Sequence, residues 1–139
     1  ICQACEIACE LGVHVTLLAE GDAASQEHCF EVAEKHHDNF TMLESSTKNR
    51  EKILKDSSIL LFATKPNRKL INEALSESIP MVLPEGCGFE NFNPQKETGE
   101  AFTFTEGNKW QFVAAMIRAS ENYKFTYDWN TLKKNLAKV

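Results

Sequence analysis

Residues 58–88 read SILLFATKPNRKLINEALSESIPMVLPEGCG, and this stretch decides the fold. A short apolar run, Ile59–Phe62, is bounded by polar residues, as is typical of a buried parallel strand. Asn67 has the side chain to cap a following helix, and Pro80 ends that helix. Met81–Leu83 then supplies a second strand before a glycine turn. A strand, a crossover helix and a second strand together predict one βαβ unit.

The ligand-binding edge of this βαβ unit is predicted by the same pattern. Small molecules bind at the carboxyl ends of the strands in parallel α/β sheets, which here means loops 63–67 and 84–88. Gly86 and Gly88 flank one residue in the second loop, as in an ordinary turn. Glu73 lies in the second turn of the helix, whose N-terminal amides suit a diphosphate. Its carboxylate can accept hydrogen bonds from ribose hydroxyls, although a solvated glutamate on a polar face is the plainer alternative.

Length and charge restrict the possible functions. The chain has 139 residues, enough for a single domain over 1–139. Its net charge of -5 argues against nucleic-acid and anionic-membrane partners, which favour basic surfaces. The sequence has neither a membrane-spanning apolar stretch nor the start of a signal peptide, so we expect a cytoplasmic protein. Because the chain begins at Ile1 rather than Met, we also expect a fragment of a longer protein.

The cysteines and histidines offer metal ligands but no familiar spacing. Three of the five cysteines, Cys2, Cys5 and Cys9, lie close together in the sequence. We interpret them as reduced, small apolar residues on a helix, with a three-ligand fragment of a metal or iron–sulfur site as the alternative. His28 with Cys29, or the His36–His37 pair, can ligate a metal, but a histidine at a helix C-terminus is favourable without one. The sequence therefore predicts no metal and no cofactor.

The rest of the chain alternates helices with short apolar strands. Loop 89–98 is the longest loop, and we expect it to be the most mobile. The alternation predicts an α/β fold: a Rossmann-like three-layer α/β/α domain with a mostly parallel sheet of about five strands. The residues expected on the buried helix faces are Gln26, Phe30 and Ala33; Leu70, Ile71, Ala74, Leu75 and Ser78; Trp110, Val113, Ala114 and Ile117; and Trp129, Leu132 and Leu136.

Five segments, in order along nearly the whole chain, resemble one enzyme family. They are Val15–Asp22 (VTLLAEGD); Asp56–Phe62 (DSSILLF); Leu70–Ser76 with Ile79–Val82; Glu97–Phe102 (ETGEAF); and Trp129, Leu132 and Asn135. This order resembles the C-terminal, nucleotide-sugar-binding domain of two-domain (GT-B) retaining glycosyltransferases. Within that group it is most similar to the starch and glycogen synthases and their group 1 relatives.

The resemblance implies a hexosyltransferase as the full-length parent. Such an enzyme transfers a glucosyl unit from a nucleotide sugar, ADP-glucose or similar, to an α-glucan with retention. The second Glu of the family's Glu-x7-Glu signature falls on Glu73, which would bind the donor ribose, whereas the first falls on Lys65. The resemblance thus identifies no certain catalytic residue. The implied donor-binding residues are Glu73, Leu70, Ile71, Lys69, Gly86 and Gly88.

The family's N-terminal acceptor domain and the first strand of this domain are absent from the chain. We therefore expect the chain by itself not to catalyse transfer, because it cannot close on an acceptor and exclude water. A diverged, inactive binding module of the same fold is the main alternative, with Lys65, Arg68 and Lys69 contacting phosphates as point charges. A response-regulator-like domain using Glu20, Asp22 and Lys65 is a third reading, which fits the strand order poorly.

Overall fold

The computed structural model describes residues 2–19 and 23–139. These residues divide into two compact units, an N-terminal unit, Ile1–Asp56, and a C-terminal unit, Ser57–Val139. Glu20 and Asp22 of the response-regulator reading lie outside the described residues, as does the end of the quoted segment Val15–Asp22. The expectation of one domain over residues 1–139 stays a prediction.

The N-terminal unit alternates helices and strands. Its elements are α1 (Cys2–Glu10), β1 (Val15–Ala19), α2 (Ala23–Lys35), β2 (Phe40–Glu44) and α3 (Thr47–Asp56). Gly12 follows α1 at φ +81°, a conformation that glycine adopts without strain. β1 and β2 pair in parallel, with Val15 opposite Phe40. Ser46 caps α3 by accepting a hydrogen bond from the Asn49 amide at 3.1 Å, as its position before the helix predicts.

Cysteines form much of the core of the N-terminal unit. The buried cluster consists of Cys2, Cys5, Cys9, Cys29, Val32 and Phe40. Cys5 and Cys9 are buried free thiols, as the apolar interpretation predicts. Cys2 and Cys29 instead form a disulfide between α1 and α2, which corrects the prediction that the thiols are reduced. The pairing depends on two helices whose Cα atoms approach to 5.5 Å, and sequence spacing does not reveal that approach.

Helix α2 turns a different face to this core than the sequence predicts. Phe30 is 54% exposed, whereas Cys29 and Val32 are buried. Ala33, predicted on the same face, does pack against the cluster while remaining partly exposed. The sequence prediction placed Phe30 on the buried face because it is the largest apolar residue of α2. The disulfide from Cys29 to α1 instead determines which face of α2 is buried.

The C-terminal unit contains the βαβ unit predicted from residues 58–88. Its elements are β3 (Leu60–Leu61), α4 (Arg68–Ser76), β4 (Met81–Pro84), β5 (Phe102–Phe104), α5 (Lys109–Tyr123) and α6 (Thr126–Leu136). The strands pair in parallel in the order β3-β4-β5. Each residue of the central strand, β4, is buried. The cap predicted at Asn67 is confirmed, since its side chain accepts an amide hydrogen bond from α4, and Asn108 caps α5 in the same way.

Helices α5 and α6 pack on the C-terminal core. In α6 the predicted face is confirmed, with Trp129, Leu132 and Leu136 buried. In α5 the predicted stripe is rotated, because Trp110 is 68% exposed. The residues that α5 buries are Phe112, Val113, Ala115, Met116 and Ala119. Only Val113 belongs to both sets, and Ala114 is exposed.

Loop 89–101 is held by several hydrogen bonds beside β5. The Phe92 amide donates to the Ala101 carbonyl at 2.7 Å, and Phe92 is buried. The side-chain oxygen of Asn91 accepts a hydrogen bond from the Thr103 amide at 3.0 Å. Arg118 Nη2 donates to the Thr103 carbonyl at 3.1 Å. These contacts fasten the loop to β5 and α5, and the expectation that residues 89–98 are the most mobile loop stays a prediction.

The α/β class and the parallel strands are confirmed. The described strands form two separate sheets, of two and three strands, and not one sheet of about five. The alternation of helices and strands fixes their order along the chain but not which strands share hydrogen bonds. Among the described residues, no helix combines the length and apolar character needed to cross a membrane.

Candidate functional site

The loops that follow β3 and β4 both begin at the same edge of the C-terminal sheet. The Phe62 amide donates to the Val82 carbonyl at 2.9 Å, so pairing continues one residue beyond β3. The Glu85 amide donates to the Phe104 carbonyl at 2.8 Å, just after β4. Loops 63–67 and 84–88 therefore start at the carboxyl ends of neighbouring parallel strands, as expected for a ligand-binding edge.

Lys65 and Gly86 bring these two loops together. Nζ of Lys65 lies 3.3 Å from the position that a Cβ on residue 86 would occupy. Gly86 has φ +84°, where a residue with a side chain is strained. Glycine at this position thus permits both the turn and the close approach of the lysine. Gly88 has φ +88° but faces open space, so only its backbone conformation requires glycine.

Glu106 joins this edge from the loop after β5. Its Oε1 accepts a hydrogen bond from the Lys65 amide at 3.3 Å. The pKa of the neighbouring Cys87 thiol is raised, chiefly by burial, while Lys65 opposes the shift and Glu106 adds to it. Glu106 was not predicted from the sequence as a site residue. Its position just beyond the third strand of the sheet was the available signal, because the carboxyl ends of parallel strands share an edge.

The Leu70 and Ile71 amides of α4, residues that the resemblance assigns to donor binding, already make hydrogen bonds to Asn67. The Leu70 amide donates to Oδ1 of Asn67 at 2.9 Å. The Ile71 amide donates to the Asn67 carbonyl at 3.2 Å. The amides of Arg68 and Lys69 lie earlier in the helix, where no preceding turn supplies carbonyl acceptors. They are therefore better placed than Leu70 and Ile71 to donate to a ligand.

Glu73 has one carboxylate oxygen without a partner. Its side chain is 30% exposed, and Oε1 lies 4.0 Å from Nζ of Lys69. Oε2 is buried and makes no hydrogen bond. A buried carboxylate oxygen without a donor is costly, so this atom is suited to accept a hydrogen bond from a ligand hydroxyl.

The predicted site residues thus form two pairs, Lys65 with Gly86 and Lys69 with Glu73. No hydrogen bond or ion pair connects one pair to the other within the residues that the structure describes. The first pair belongs to the strand-end loops, and the second to the first turns of α4. A ligand bridging them would extend along the βαβ unit from the strand ends to the start of the helix.

No family model matches the chain, and no curated protein matches it with significance. The resemblance to glycosyltransferases therefore depends on the five segments quoted above.

Proposed function

We propose that this chain is the donor-binding domain of a retaining glycosyltransferase resembling the starch and glycogen synthases. It binds a nucleotide sugar of the ADP-glucose class, and its full-length parent transfers the glucosyl unit to an α-glucan. In this proposal the C-terminal unit is the Rossmann-like, GT-B type part of the domain.

The observation that carries the proposal is the meeting of loops at one edge of the C-terminal sheet. Lys65 follows β3, Gly86 follows β4 and Glu106 follows β5, and Lys65 contacts both of the others. Strand-end loops that touch one another form the usual ligand site of parallel α/β sheets. The contact brings a cation and a glycine turn together, a combination suited to phosphate.

Each donor group has a partner in this proposal. Glu73 accepts hydrogen bonds from the ribose hydroxyls through Oε2, the buried atom without a partner. The amides of Arg68 and Lys69 and the positive end of the α4 dipole bind the diphosphate. The loop with Gly86 and Gly88 contacts the sugar. The Lys65 ammonium occupies the place where the family has a carboxylate beside the sugar.

Lys65 also supports the alternative, an inactive module that binds the donor without transferring it. An ammonium beside Gly86 can bind a phosphate as a point charge but cannot act as a carboxylate. In both versions we expect the 139-residue chain by itself to bind the donor weakly.

A titration of the isotope-labelled chain with ADP-glucose tests the proposal by chemical-shift mapping. We expect shifts confined to residues 63–73, 84–88 and the loop around Glu106. Glu73→Gln should weaken binding about tenfold, the effect of losing a hydrogen bond to a charged group. The matched control is Glu77→Gln, at the exposed C-terminal end of the same helix, which should bind as the unmodified chain does. Shifts confined to other surfaces, or equal effects of the two variants, would contradict the proposed site.

Lys65→Glu separates the two versions of the proposal. If the parent is a diverged transferase, restoring the carboxylate should raise affinity for ADP-glucose over ADP. If Lys65 is a phosphate contact in a binding module, the same change should weaken both ligands about equally, because repulsion replaces attraction at the diphosphate.

A further inference from the structure

A second group of polar side chains lies in the N-terminal unit. Glu6 and Glu10 are on α1, and His36 follows the end of α2. One ligand atom from each of the three lies within 4.8 Å of the others. We propose that Glu6, Glu10 and His36 form a binding site for a divalent transition cation of the zinc class.

Helix geometry and the fixed packing of α1 and α2 account for this arrangement. Glu6 and Glu10 are four residues apart on α1, so their side chains leave the same face. The Cys2–Cys29 disulfide joins α1 to α2. The Asn39 side-chain amide also donates to the Cys9 carbonyl at 2.9 Å, which holds α1 near the turn after α2. The three ligands are thus brought together before any cation binds.

His36 supplies the observation that points to a ligand. Its side chain is 17% exposed, and its Nε2 atom is buried without a hydrogen-bond partner. Oε1 of Glu6 lies 3.6 Å from this nitrogen, which is longer than a hydrogen bond. The nitrogen is thus within ion-pair distance of Glu6 but makes no hydrogen bond, which is costly for a buried polar atom, and a metal ion beside two carboxylates would satisfy it. His37, the other half of the histidine pair in the sequence, instead lies 3.2 Å from the exposed Asp38.

The donor set selects the class of cation. One imidazole nitrogen and two carboxylate oxygens suit Zn²⁺ and its neighbours, whereas Mg²⁺ and Ca²⁺ prefer oxygen alone. Two ligands of a tetrahedral zinc ion lie about 3.3 Å apart, given bonds of roughly 2.0–2.1 Å. The three donor atoms, now within 4.8 Å of one another, must close to that distance when the cation binds. Three protein ligands leave one coordination position for water.

Lys35 would compete with a cation for the Glu6 carboxylate. Its ammonium lies 2.8 Å from Oε1 of Glu6, where it already neutralises part of the acidic charge. A bound cation must displace the ammonium or share the carboxylate with it. Removing the lysine should therefore strengthen cation binding, and this expectation distinguishes a metal site from a purely structural ion pair.

Calorimetric titration of the full chain with Zn²⁺ tests the proposal. The titrations use the Cys87→Ser background, because Cys87 is a partly buried free thiol and a thiol is a zinc-ligand type. His36→Gln and Glu10→Gln should each weaken binding about tenfold or more. His37→Gln is the matched control and should leave the affinity unchanged. Lys35→Gln should strengthen it by a factor of about two to five, and Mg²⁺ should not compete.

Histidine ring nitrogen shifts give a second measurement, which does not depend on any variant folding correctly. In the unmodified chain, Zn²⁺ should move the Nε2 resonance of His36 and leave that of His37 in place. The proposal is overturned if the His36 resonance does not move. It is also overturned if His36→Gln and His37→Gln weaken zinc binding equally, or if His36→Gln does not weaken it at all.

Discussion

The side-chain amide of Asn135 in α6 donates to the carbonyl oxygens of Glu97 and Gly99, at 3.0 Å in each case. These contacts fix the last helix to the segment that precedes β5. Both partners belong to segments quoted for the glycosyltransferase resemblance, ETGEAF and the closing Trp–Leu–Asn helix. The two segments are thus in direct contact, which gives a packing reason for their occurring together.

Gly99 should be the least replaceable glycine of the C-terminal unit. It has φ +89°, and an added Cβ would lie 2.6 Å from the backbone of Asn91 and Phe92. Gly99→Ala should lower the free energy of unfolding by about 3 kcal/mol, through backbone strain and overpacking together. Urea unfolding followed by tryptophan fluorescence measures this, because Trp110 and Trp129 both lie in the C-terminal unit.

Gly107→Ala is the matched control for that substitution. Gly107 has a similar φ of +82°, but nothing lies near its added Cβ. Only the strain of the left-handed conformation remains, so we expect a loss of about 1 kcal/mol. Equal losses for the two variants would show that the close approach at Gly99 is absent in solution.

The face that α5 buries can be tested by two alanine substitutions. Met116→Ala should lower the free energy of unfolding by about 2–5 kcal/mol, because the side chain is buried and leaves a cavity. Trp110→Ala should cost less than about 1 kcal/mol, since the ring is exposed and the Lys109 ammonium lies 4.9 Å from its centroid. Thermal unfolding by circular dichroism measures both. If Trp110→Ala were less stable than Met116→Ala, the result would support the buried face predicted from the sequence.

The Cys2–Cys29 disulfide should stabilise the N-terminal unit. It spans 27 positions, and closing a loop of that length contributes about 3–4 kcal/mol by constraining the unfolded chain. Reduction should therefore lower the unfolding temperature, and a Cys2→Ser, Cys29→Ser double variant should match the reduced protein. Thiol titration of the denatured, unreduced chain should find three thiols, Cys5, Cys9 and Cys87. Five titratable thiols would refute the pairing, and the cytoplasmic location expected from the sequence stays a prediction in either case.

Cys5 should make stability depend on alkaline pH. Burial raises the pKa of its thiol from 9.0 to about 11. The unfolded thiol loses its proton near pH 9 while the folded one keeps it, so stability falls as pH rises between about 9 and 11 and then levels off. Urea unfolding followed by circular dichroism at stepped pH measures the fall. Cys5→Ala should remove that part of the fall, and an unchanged profile would contradict the assignment.

A local rule predicted the start of α4 correctly. Asn67 was recognised as a cap because an asparagine side chain bonds to an amide three residues later, wherever the helix then packs. The resemblance assigned the Leu70 amide to a ligand, but the cap that Asn67 forms uses this amide. Predicting the cap therefore also implied that a ligand would compete with Asn67 for the Leu70 amide.

Long-range features were not predictable from the sequence. The Cys2–Cys29 bond requires two helices to lie side by side, and Glu106 reaches Lys65 across 41 positions. The face of α5 was misjudged because a large exposed residue, Trp110, outweighed the smaller residues that are buried. Hydrophobic periodicity identifies the helix, whereas the neighbouring strands decide which of its faces they cover.

The contacts around Thr103 have a consequence for association between chains. β5 is an edge strand, and an edge usually offers unpaired peptide groups on which another strand can add. Here the Asn91 side chain accepts a hydrogen bond from the outward amide of Thr103, and Arg118 donates one to the Thr103 carbonyl. The Gln111 side chain accepts a hydrogen bond from the Thr105 amide at 2.8 Å. These side chains act as substitutes for a neighbouring strand, so this edge is closed to aggregation by strand addition. Any strand that extends the C-terminal sheet must add at β3.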